Sequence, residues 1–293
     1  MVESPGALVM RAAQCYHGRN TLCLDVRVAG GLVSDAMRER FLEVETPSGR
    51  MPTFVTHPEQ DGPFPAVIVY MDIWGVREEL FEIARRVGTV GYYCMVPDFY
   101  YRQGRVRHEF RDAQNRMISL HALDEERRQR VVAPGRRLSN QMVVDDTGAI
   151  LDFVARGEPV RPGGVGAIGY CMGGRHVLCV AGHFPERVTA SASLHGTSLV
   201  SDAPDSPHLL ASRFRGELYC GFAEMDPYAP LSMVKELDEL LRPCPVTYRH
   251  AIHVGARHGY ALPNRDIFHP RGAARDWEMI FAMFHRQIPA YKA

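Results

Sequence analysis

The sequence lacks a charge excess of either sign, because its 293 residues carry 34 Lys and Arg against 34 Asp and Glu. A neutral chain has no global attraction for nucleic acid or for an anionic membrane, so we expect neither as a partner. It also lacks the run of ~18 apolar residues that a membrane-spanning helix needs. The N-terminus, with Glu3, Pro5 and Arg11, does not follow the basic-then-apolar pattern of a signal peptide, which predicts a cytoplasmic protein.

Paired cysteine motifs are missing as well. The cysteines are scattered and none forms a Cys-x-x-Cys pair; they stand at positions 15, 23, 94, 171, 179, 220 and 244. An odd number, with several inside predicted strands or helices, argues against a disulfide framework and against a structural zinc site. We therefore expect reduced thiols, no metal and no cofactor.

Apolar strands alternate with amphipathic helices along the chain. Residues 66–71 form a nearly continuous apolar run, typical of a strand covered on both faces, and residues 78–87 have helical spacing. Residues 92–97 and 165–168 read as further strands, and 142–155 as a further helix. This repetition predicts an α/β fold with a mostly parallel central sheet flanked by helices.

Two segments stand outside this alternation. Residues 1–37 read as an N-terminal extension to a domain over residues 38–293, and residues 22–28 within it are a candidate edge strand. Residues 103–137 are rich in arginine among several acids, which predicts a charged helical insertion. The insertion is either a cap beside an active site or a solvated helical excursion.

The most informative motif is Gly-Tyr-Cys-Met-Gly-Gly at 169–174. An apolar strand precedes it and an apolar helical pattern follows, so the motif predicts a nucleophile elbow with Cys171 in place of serine. Glycines at 169 and 173 suit the strained turn, where a Cβ would clash with the neighbouring strand and helix. The helix N-terminus would favour a thiolate at Cys171. The alternative is a glycine-rich turn with an inert buried cysteine.

An acid and a histidine follow later strands, in the chain order that such an elbow requires. Asp226 comes after the strand pattern at 217–223, and His258 comes after the one at 246–252. We expect Asp226 to orient the imidazole of His258 while the other ring nitrogen faces Cys171.

Both assignments have competitors in the sequence. The chain has thirteen histidines, and His250 and His253 are rivals of His258, although His250 falls within the predicted strand. Asp226 has the alternative role of a helix cap, which is common for Asp at such positions.

Together these residues resemble the dienelactone hydrolase family, an α/β-hydrolase branch with a Cys-His-Asp triad, over roughly residues 38–290. The motif around Cys171 matches the family's nucleophile motif, Asp226 its acid and His258 its histidine. The resemblance implies an α/β-hydrolase fold and hydrolysis of small carboxylic esters or lactones through a thioester on the cysteine.

The stretch Tyr-Met-Asp-Ile-Trp-Gly-Val at 70–76 resembles the family's segment after its third strand, where a carboxylate pairs with the resting thiol. The carboxylate here is Asp72, whereas the namesake enzymes have glutamate. Asp72 either gates the thiol or only structures the loop. By position, the backbone amides of Met172 and Ile73 should form the oxyanion hole.

Residues 97–102 resemble another recurrent stretch, whose arginine binds the substrate carboxylate in the lactone-cleaving members. This implies that Arg102 clamps an anionic substrate; the alternative is an ion pair with Asp98 or with an acid of the insertion. The family's second substrate-binding arginine, four residues past the histidine, corresponds to Leu262 here. Arg265 and Arg271 are possible replacements, between which the spacing does not choose.

Trp74 and Tyr260 are predicted to line an apolar acyl pocket, with a place in the core as the alternative for each. The leading prediction is thus a cytoplasmic hydrolase of small, in some cases anionic, esters or lactones. A second hypothesis is an acyltransferase or cyclase, in which an alcohol or an internal nucleophile takes the acyl group. A third is a non-catalytic thiol sensor, which would need neither Asp226 nor His258.

Overall fold

The computed structural model of the protein describes residues 36–292. In this range eight strands form one sheet: β1 (Met37–Thr46), β2 (Gly49–Pro58), β3 (Ala66–Tyr70), β4 (Tyr93–Pro97), β5 (Val165–Tyr170), β6 (Val188–Leu194), β7 (Glu217–Met225) and β8 (Thr247–Arg257). The α-helices of the same range are α1 (Glu78–Gly88), α2 (Glu125–Arg136), α3 (Asn140–Val154), α4 (Met172–His183), α5 (Leu231–Leu241) and α6 (Pro270–Gln287).

The strands follow the order β1-β2-β4-β3-β5-β6-β7-β8 across the sheet. β2 pairs antiparallel with both β1 and β4, and every pair from β4 to β8 is parallel. The predicted α/β fold with a mostly parallel sheet and flanking helices is therefore confirmed. Because parallel neighbours end at the same edge, the residues that follow β3, β5, β6, β7 and β8 are brought together there.

The central strands are apolar because both of their faces are covered. Every residue of β3 and β5 is buried, as expected for parallel strands between two helical layers. Helix α1 turns Leu80, Ile83 and Val87 inward at helical spacing. Helix α3 begins at a capping serine, since the Oγ of Ser139 accepts a hydrogen bond from the Met142 N–H at 3.2 Å.

β1, the first strand that the structure describes, begins at Met37, and the predicted domain begins at residue 38. The candidate edge strand at residues 22–28 lies outside the described residues, as does nearly all of the predicted extension.

The insertion at 103–137 is helical only in its second half, where α2 lies. Before α2 the chain is largely irregular, and its Met117 and Leu123 form a small apolar cluster with Val131 of α2 and with Trp74. The Met117 N–H donates to the Asn264 carbonyl oxygen at 2.7 Å, which ties the segment to the loop after β8. The segment therefore packs against Trp74 and the loop after β8.

Candidate active site

Cys171 occupies a strained turn between β5 and α4, with φ 57° and ψ −118°. A Cβ on Gly169 would overlap the Gly173 carbonyl oxygen, and one on Gly173 would overlap the Tyr70 carbonyl oxygen. The motif thus needs glycine at both positions because strand, turn and helix are in backbone contact. The Cys171 N–H donates to the Leu194 carbonyl oxygen at 3.0 Å, which fixes the turn against β6. Strain held in this way is typical of functional positions.

His258 and Asp226 lie at the same edge of the sheet as Cys171. The Nδ1 of His258 is 2.7 Å from the Oδ2 of Asp226, and the Oδ1 of Asp226 accepts from the Tyr228 N–H at 2.8 Å. The Tyr228 ring packs edge-on against the imidazole at 4.8 Å between centroids. Since β7 ends at Met225 and β8 at Arg257, each side chain is the first residue after its strand.

The electrostatics of His258 couple it to both neighbours. Burial alone would lower the pKa of His258, but attraction to Cys171 and the hydrogen bond and charge of Asp226 outweigh it and raise the pKa to about 10. The imidazole is therefore stabilised in its protonated form beside the sulfur. Such a cation is what a thiolate nucleophile needs at neutral pH.

The two predicted oxyanion donors, Met172 and Ile73, belong to separate elements of the fold. Met172 is the first residue of α4, where backbone N–H groups have no partner within the helix. Ile73 lines the pocket, and its carbonyl oxygen accepts from the Tyr100 hydroxyl at 3.1 Å. The next amide along, that of Trp74, donates to Asp72 at 3.0 Å, so the loop carrying Ile73 is held from both sides.

The Asp72 carboxylate is fully engaged by other groups. Its Oδ1 accepts from the Trp74 N–H and from Arg77 at 2.7 Å, and its Oδ2 accepts from Arg77 at 3.0 Å and from Arg265 at 2.8 Å. These four bonds fill the lone-pair positions of a carboxylate. Although burial opposes ionisation, the two arginines lower the pKa of Asp72 to about 2. This geometry matches the loop-structuring alternative for Asp72 better than the thiol-gating one.

A narrow cavity of about 30 Å³ is lined by Cys171, by His258 and by the loop that carries Asp72. Its lining comprises Asp72, Ile73, Trp74, Ser119, Leu120, Cys171, His195, His258, Gly259, Arg265 and Ile267. Ser119 and Leu120 come from the insertion, so the cap forms one wall. Trp74, predicted to contact substrate, is in this lining.

Arg265 is the cation that the structure brings to this cavity. Its side chain is 5% exposed, and its guanidinium lies 4.6 Å from the centre of the Trp74 ring. One terminal nitrogen donates to Asp72, whereas the Nε–H has no hydrogen-bond partner within residues 36–292. Arg265 thus presents an unpaired donor in a buried site.

Arg102 and Tyr260 are placed elsewhere. The Arg102 guanidinium makes two 2.8 Å bonds to Asp146 of α3, and Arg102 is not among the residues that line the cavity. The N–H donors of Arg102 that were predicted to bind a substrate carboxylate are therefore engaged in an ion pair with Asp146. This acid is neither Asp98 nor a residue of the insertion, the two partners considered from the sequence. Tyr260 is fully buried, and its hydroxyl donates to Asp276 at 2.6 Å, as expected of a core tyrosine.

The rival histidines both lie within β8. His253 is 2.7 Å from the Oδ1 of Asp276, deep in the core, and does not line the cavity. His250 is part of the edge strand beside Asp238, at 3.9 Å. Neither competes with His258 for Cys171 in the structure.

His195, Ser119 and Leu120 line the cavity although they were not predicted to be functional. His195 directly follows β6, and its position at the carboxyl end of a parallel strand marks it only once that strand is known. The two insertion residues carry no comparable local signal.

Residues 36–292 contain no group of three or more His, Cys, Asp and Glu arranged to hold a metal ion. None of the helices that the structure describes is long and apolar enough to cross a membrane. The cysteines in the same range, at 94, 171, 179, 220 and 244, are free thiols.

The parallel sheet, the elbow and the strand-end acid and histidine define an α/β-hydrolase. The chain belongs to the dienelactone hydrolase family, whose sequence profile matches residues 51–288. The predicted family and hydrolase class are thereby confirmed.

Several relatives are similar over most of their length. A protein of Synechocystis sp., provisionally named carboxymethylenebutenolidase, is 24% identical over 242 residues, which are 80% of this chain and 91% of that protein. A Bradyrhizobium sp. protein, provisionally named 2-oxo-3-(5-oxofuran-2-ylidene)propanoate lactonase, is 22% identical over 236 residues, 79% of this chain and 88% of its own.

A solved structure from Klebsiella pneumoniae, provisionally described as a dienelactone hydrolase, has the same fold. It superposes with a TM-score of 0.73 at 22% identity, covering 86% of this chain and 99% of that one. A dienelactone hydrolase-like promiscuous phosphotriesterase from metagenomic libraries superposes with a TM-score of 0.67, also at 22% identity and with the same coverage of both chains.

Proposed function

We propose that this protein hydrolyses small carboxylic esters or lactones, with Cys171 as the nucleophile and a thioester on its sulfur as the intermediate. The observation that carries the proposal is the elbow at Cys171 in one cavity with His258, whose imidazole is bonded to Asp226 at 2.7 Å. The names of the relatives, which denote butenolide and oxofuran ring hydrolysis, support the choice of substrate class.

In the first half-reaction the sulfur attacks the carbonyl carbon of the ester or lactone. The negative charge that develops on the carbonyl oxygen is stabilised by the backbone N–H groups of Met172 and Ile73, each worth ~3–4 kcal/mol in comparable sites. The imidazolium of His258 then gives its proton to the leaving oxygen, and the C–O bond breaks to leave the thioester. Asp226 holds the ring in the required orientation throughout.

In the second half-reaction water replaces the leaving group. His258, now neutral, takes a proton from the water while the water oxygen attacks the thioester carbonyl. The C–S bond breaks, the acid leaves, and the thiolate is restored beside the protonated imidazole.

The substrate that fits this site best carries a carboxylate or another oxygen acceptor near its acyl group. Arg265 supports this choice, since its Nε–H is buried and unpaired in the cavity wall. A buried cation with a free donor favours an anionic acceptor over water. The propanoate in the name of the Bradyrhizobium relative is a substituent of this kind. The narrow cavity restricts the acyl group to a small one.

The test is turnover of a panel of para-nitrophenyl esters and small lactones, each in a neutral and a carboxylate-bearing form. We expect the wild type to hydrolyse members of the panel and Cys171→Ala to lose turnover. Cys179→Ala, which removes a buried thiol from the same helix α4, is the matched control and should keep it.

Intact mass spectrometry of the quenched reaction should show the acyl adduct on Cys171. Turnover that survives in Cys171→Ala would contradict the proposed nucleophile. An adduct that forms but leaves only when an alcohol is added would favour the acyltransferase hypothesis instead. If the wild type shows no turnover of the panel, no acyl adduct and no alkylation of Cys171, the proposal that this protein is an enzyme is contradicted as a whole.

A further inference from the structure

His195 is held in an unusual backbone conformation at the centre of the active-site edge. It is the first residue after β6 and has φ 39°, in the left-handed region that side-chain-bearing residues rarely adopt. Its N–H donates to the Gly221 carbonyl oxygen of β7 at 2.8 Å, and the preceding Leu194 carbonyl accepts from the Cys171 N–H. The backbone of His195 is therefore fixed directly between the nucleophile turn and β7.

The imidazole of His195 is fully buried and lines the same cavity as Cys171. It packs edge-on against the His258 ring at 5.0 Å between centroids and against the Tyr260 ring at 5.6 Å. Neither Nδ1 nor Nε2 has a hydrogen-bond partner within the described residues. Buried polar atoms are nearly always paired, so two unpaired nitrogens on one ring indicate a partner from the cavity.

The cavity has room for water, since ~10–15 Å³ is enough for one molecule and it encloses about 30 Å³. Cys171 and His258 line the same cavity as His195, so a water molecule in this space is near all three side chains. A hydrolytic water is best oriented, with a lone pair toward the thioester carbonyl, when each of its two hydrogens has an acceptor. His258 can supply only one of these acceptors.

We propose that His195 is a positioning residue that accepts the second hydrogen of the water that hydrolyses the thioester on Cys171. The inference rests on the proposed function. The water oxygen attacks the carbonyl carbon, one hydrogen passes to His258, and the C–S bond breaks to release the acid and the Cys171 thiolate. The second hydrogen of the water, which makes a hydrogen bond to His195, stays on the water oxygen when that oxygen becomes part of the acid. His195 therefore neither gains nor loses a proton.

The electrostatic surroundings keep His195 suited to this role. Burial, followed by the charge of the neighbouring His258, lowers the pKa of His195 well below its ordinary value, and the opposing effect of Asp72 does not reverse this. The ring therefore stays neutral, and retains an acceptor nitrogen, even while His258 is protonated.

The test separates the two half-reactions by stopped-flow measurement with para-nitrophenyl acetate. In His195→Phe, which keeps a ring but removes both nitrogens, we expect the acylation burst to stay within about twofold of wild type, since no acylation contact is lost. Steady-state turnover should fall roughly 10–100-fold because the water is no longer oriented. The Cys171 thioester should accumulate in the mass spectrum, and added hydroxylamine, a stronger nucleophile, should restore turnover more than in wild type.

His176 provides the matched control, because it is a buried histidine with an unpaired Nε2 on α4 that does not line the cavity. His176→Phe should leave the ratio of burst rate to steady-state rate unchanged. If His195→Phe does not fold, His195→Ala and His195→Asn replace it: Asn tolerates the left-handed backbone and keeps a hydrogen-bonding group, so it should recover part of the deacylation rate that Ala loses.

Two results for His195→Phe would overturn the proposal. The first is an acylation burst that slows as much as steady-state turnover, which would assign His195 to acylation or substrate binding. The second is an unchanged rate for both phases. Failure of the proposed function is distinguishable from either result. In that case the wild type itself would show no burst and no adduct on Cys171.

Discussion

Within residues 36–292, two His–Asp pairs have the same 2.7 Å separation, yet only one of them lies beside Cys171. In the pair His258–Asp226 the imidazole lines the cavity with Cys171, and the acid is held by one backbone amide. In the pair His253–Asp276 the acid also accepts from the hydroxyls of Tyr219 and Tyr260, at 2.7 and 2.6 Å.

The difference lies in what each pair leaves free. The Nδ1 of His258 contacts Asp226, and its ring also makes a hydrogen bond to Cys171. A proton can therefore pass between the imidazole and a group bound at Cys171. Asp276 gathers three donors from β7, β8 and the loop after β8, which makes it a junction in the core. A short His–Asp contact is therefore not by itself an indication of catalysis; the position of the ring relative to a nucleophile and a cavity is.

The largest contrast is expected from changing each acid to its amide. Asp226→Asn should lower kcat by roughly 10⁴-fold, because the amide favours the wrong tautomer of His258. Asp276→Asn should leave turnover per folded molecule within about threefold, since that acid does not contact the cavity. Ester turnover normalised to the fraction of folded protein measures both.

A comparable loss of turnover in the two variants would remove the functional distinction between the pairs. Circular dichroism of each variant checks that the comparison is made between folded proteins.

The second contrast concerns stability, where changing Asp276 should have a larger effect than changing Asp226. Asp276→Ala should lower the free energy of unfolding by about 3–5 kcal/mol, because two tyrosine hydroxyls and His253 lose their common acceptor inside the core. Asp226→Ala should cost less, about 1–2 kcal/mol, since it strands fewer donors beside a cavity that admits water. Urea unfolding followed by tryptophan fluorescence gives both values. A larger loss for Asp226→Ala would contradict the junction role of Asp276.

The third contrast is one of pH and depends on the proton of His258. Its pKa is raised to about 10, so the stabilisation from this pair is complete below about pH 6.5 and is lost as the pH rises through about 10. At pH 6 we expect iodoacetamide to alkylate Cys171 faster in wild type than in His258→Gln, because the positive imidazolium beside the sulfur favours the reactive form of the thiol.

Cys244 lies outside the cavity and serves as the internal reference, with a rate that should be equal in both proteins. His253→Gln should leave the alkylation profile of Cys171 unchanged. Equal alkylation rates of Cys171 in wild type and in His258→Gln would contradict the protonated resting state of His258.

Much of this arrangement is encoded locally and was predictable. The motif around Cys171 requires its glycines because strand, turn and helix touch, and Asp226 and His258 could be placed because each directly follows a strand. His195 also follows a strand, but β6 reads Val-Thr-Ala-Ser-Ala-Ser-Leu, whose small residues lack the apolar run of β3. Its burial on both faces comes from the neighbouring strands and helices, which no local pattern reports.

The roles of the arginines depended on tertiary contacts and were not predictable from spacing. Arg102 finds its partner 44 residues away on α3, where Asp146 is fully buried. Arg265 is brought to the cavity by the loop after β8 and oriented by Asp72 and Trp74. In both cases the decisive partner is distant in the chain, so resemblance to a family motif could not show which arginine lines the cavity.

The smallest contrast applies the same reasoning to these two arginines. Arg265→Lys keeps the charge near Asp72 but removes the Nε–H, so we expect KM for carboxylate-bearing esters to rise about 10-fold relative to neutral ones. Arg102→Lys weakens only the bidentate pair with Asp146, which should cost about 1 kcal/mol of stability and leave the ratio of the two KM values unchanged. Steady-state kinetics on matched neutral and anionic esters measure the ratio for each variant. A shift of that ratio in Arg102→Lys, with none in Arg265→Lys, would assign anion binding to Arg102. It would also show that the ion pair between Arg102 and Asp146 breaks when substrate binds.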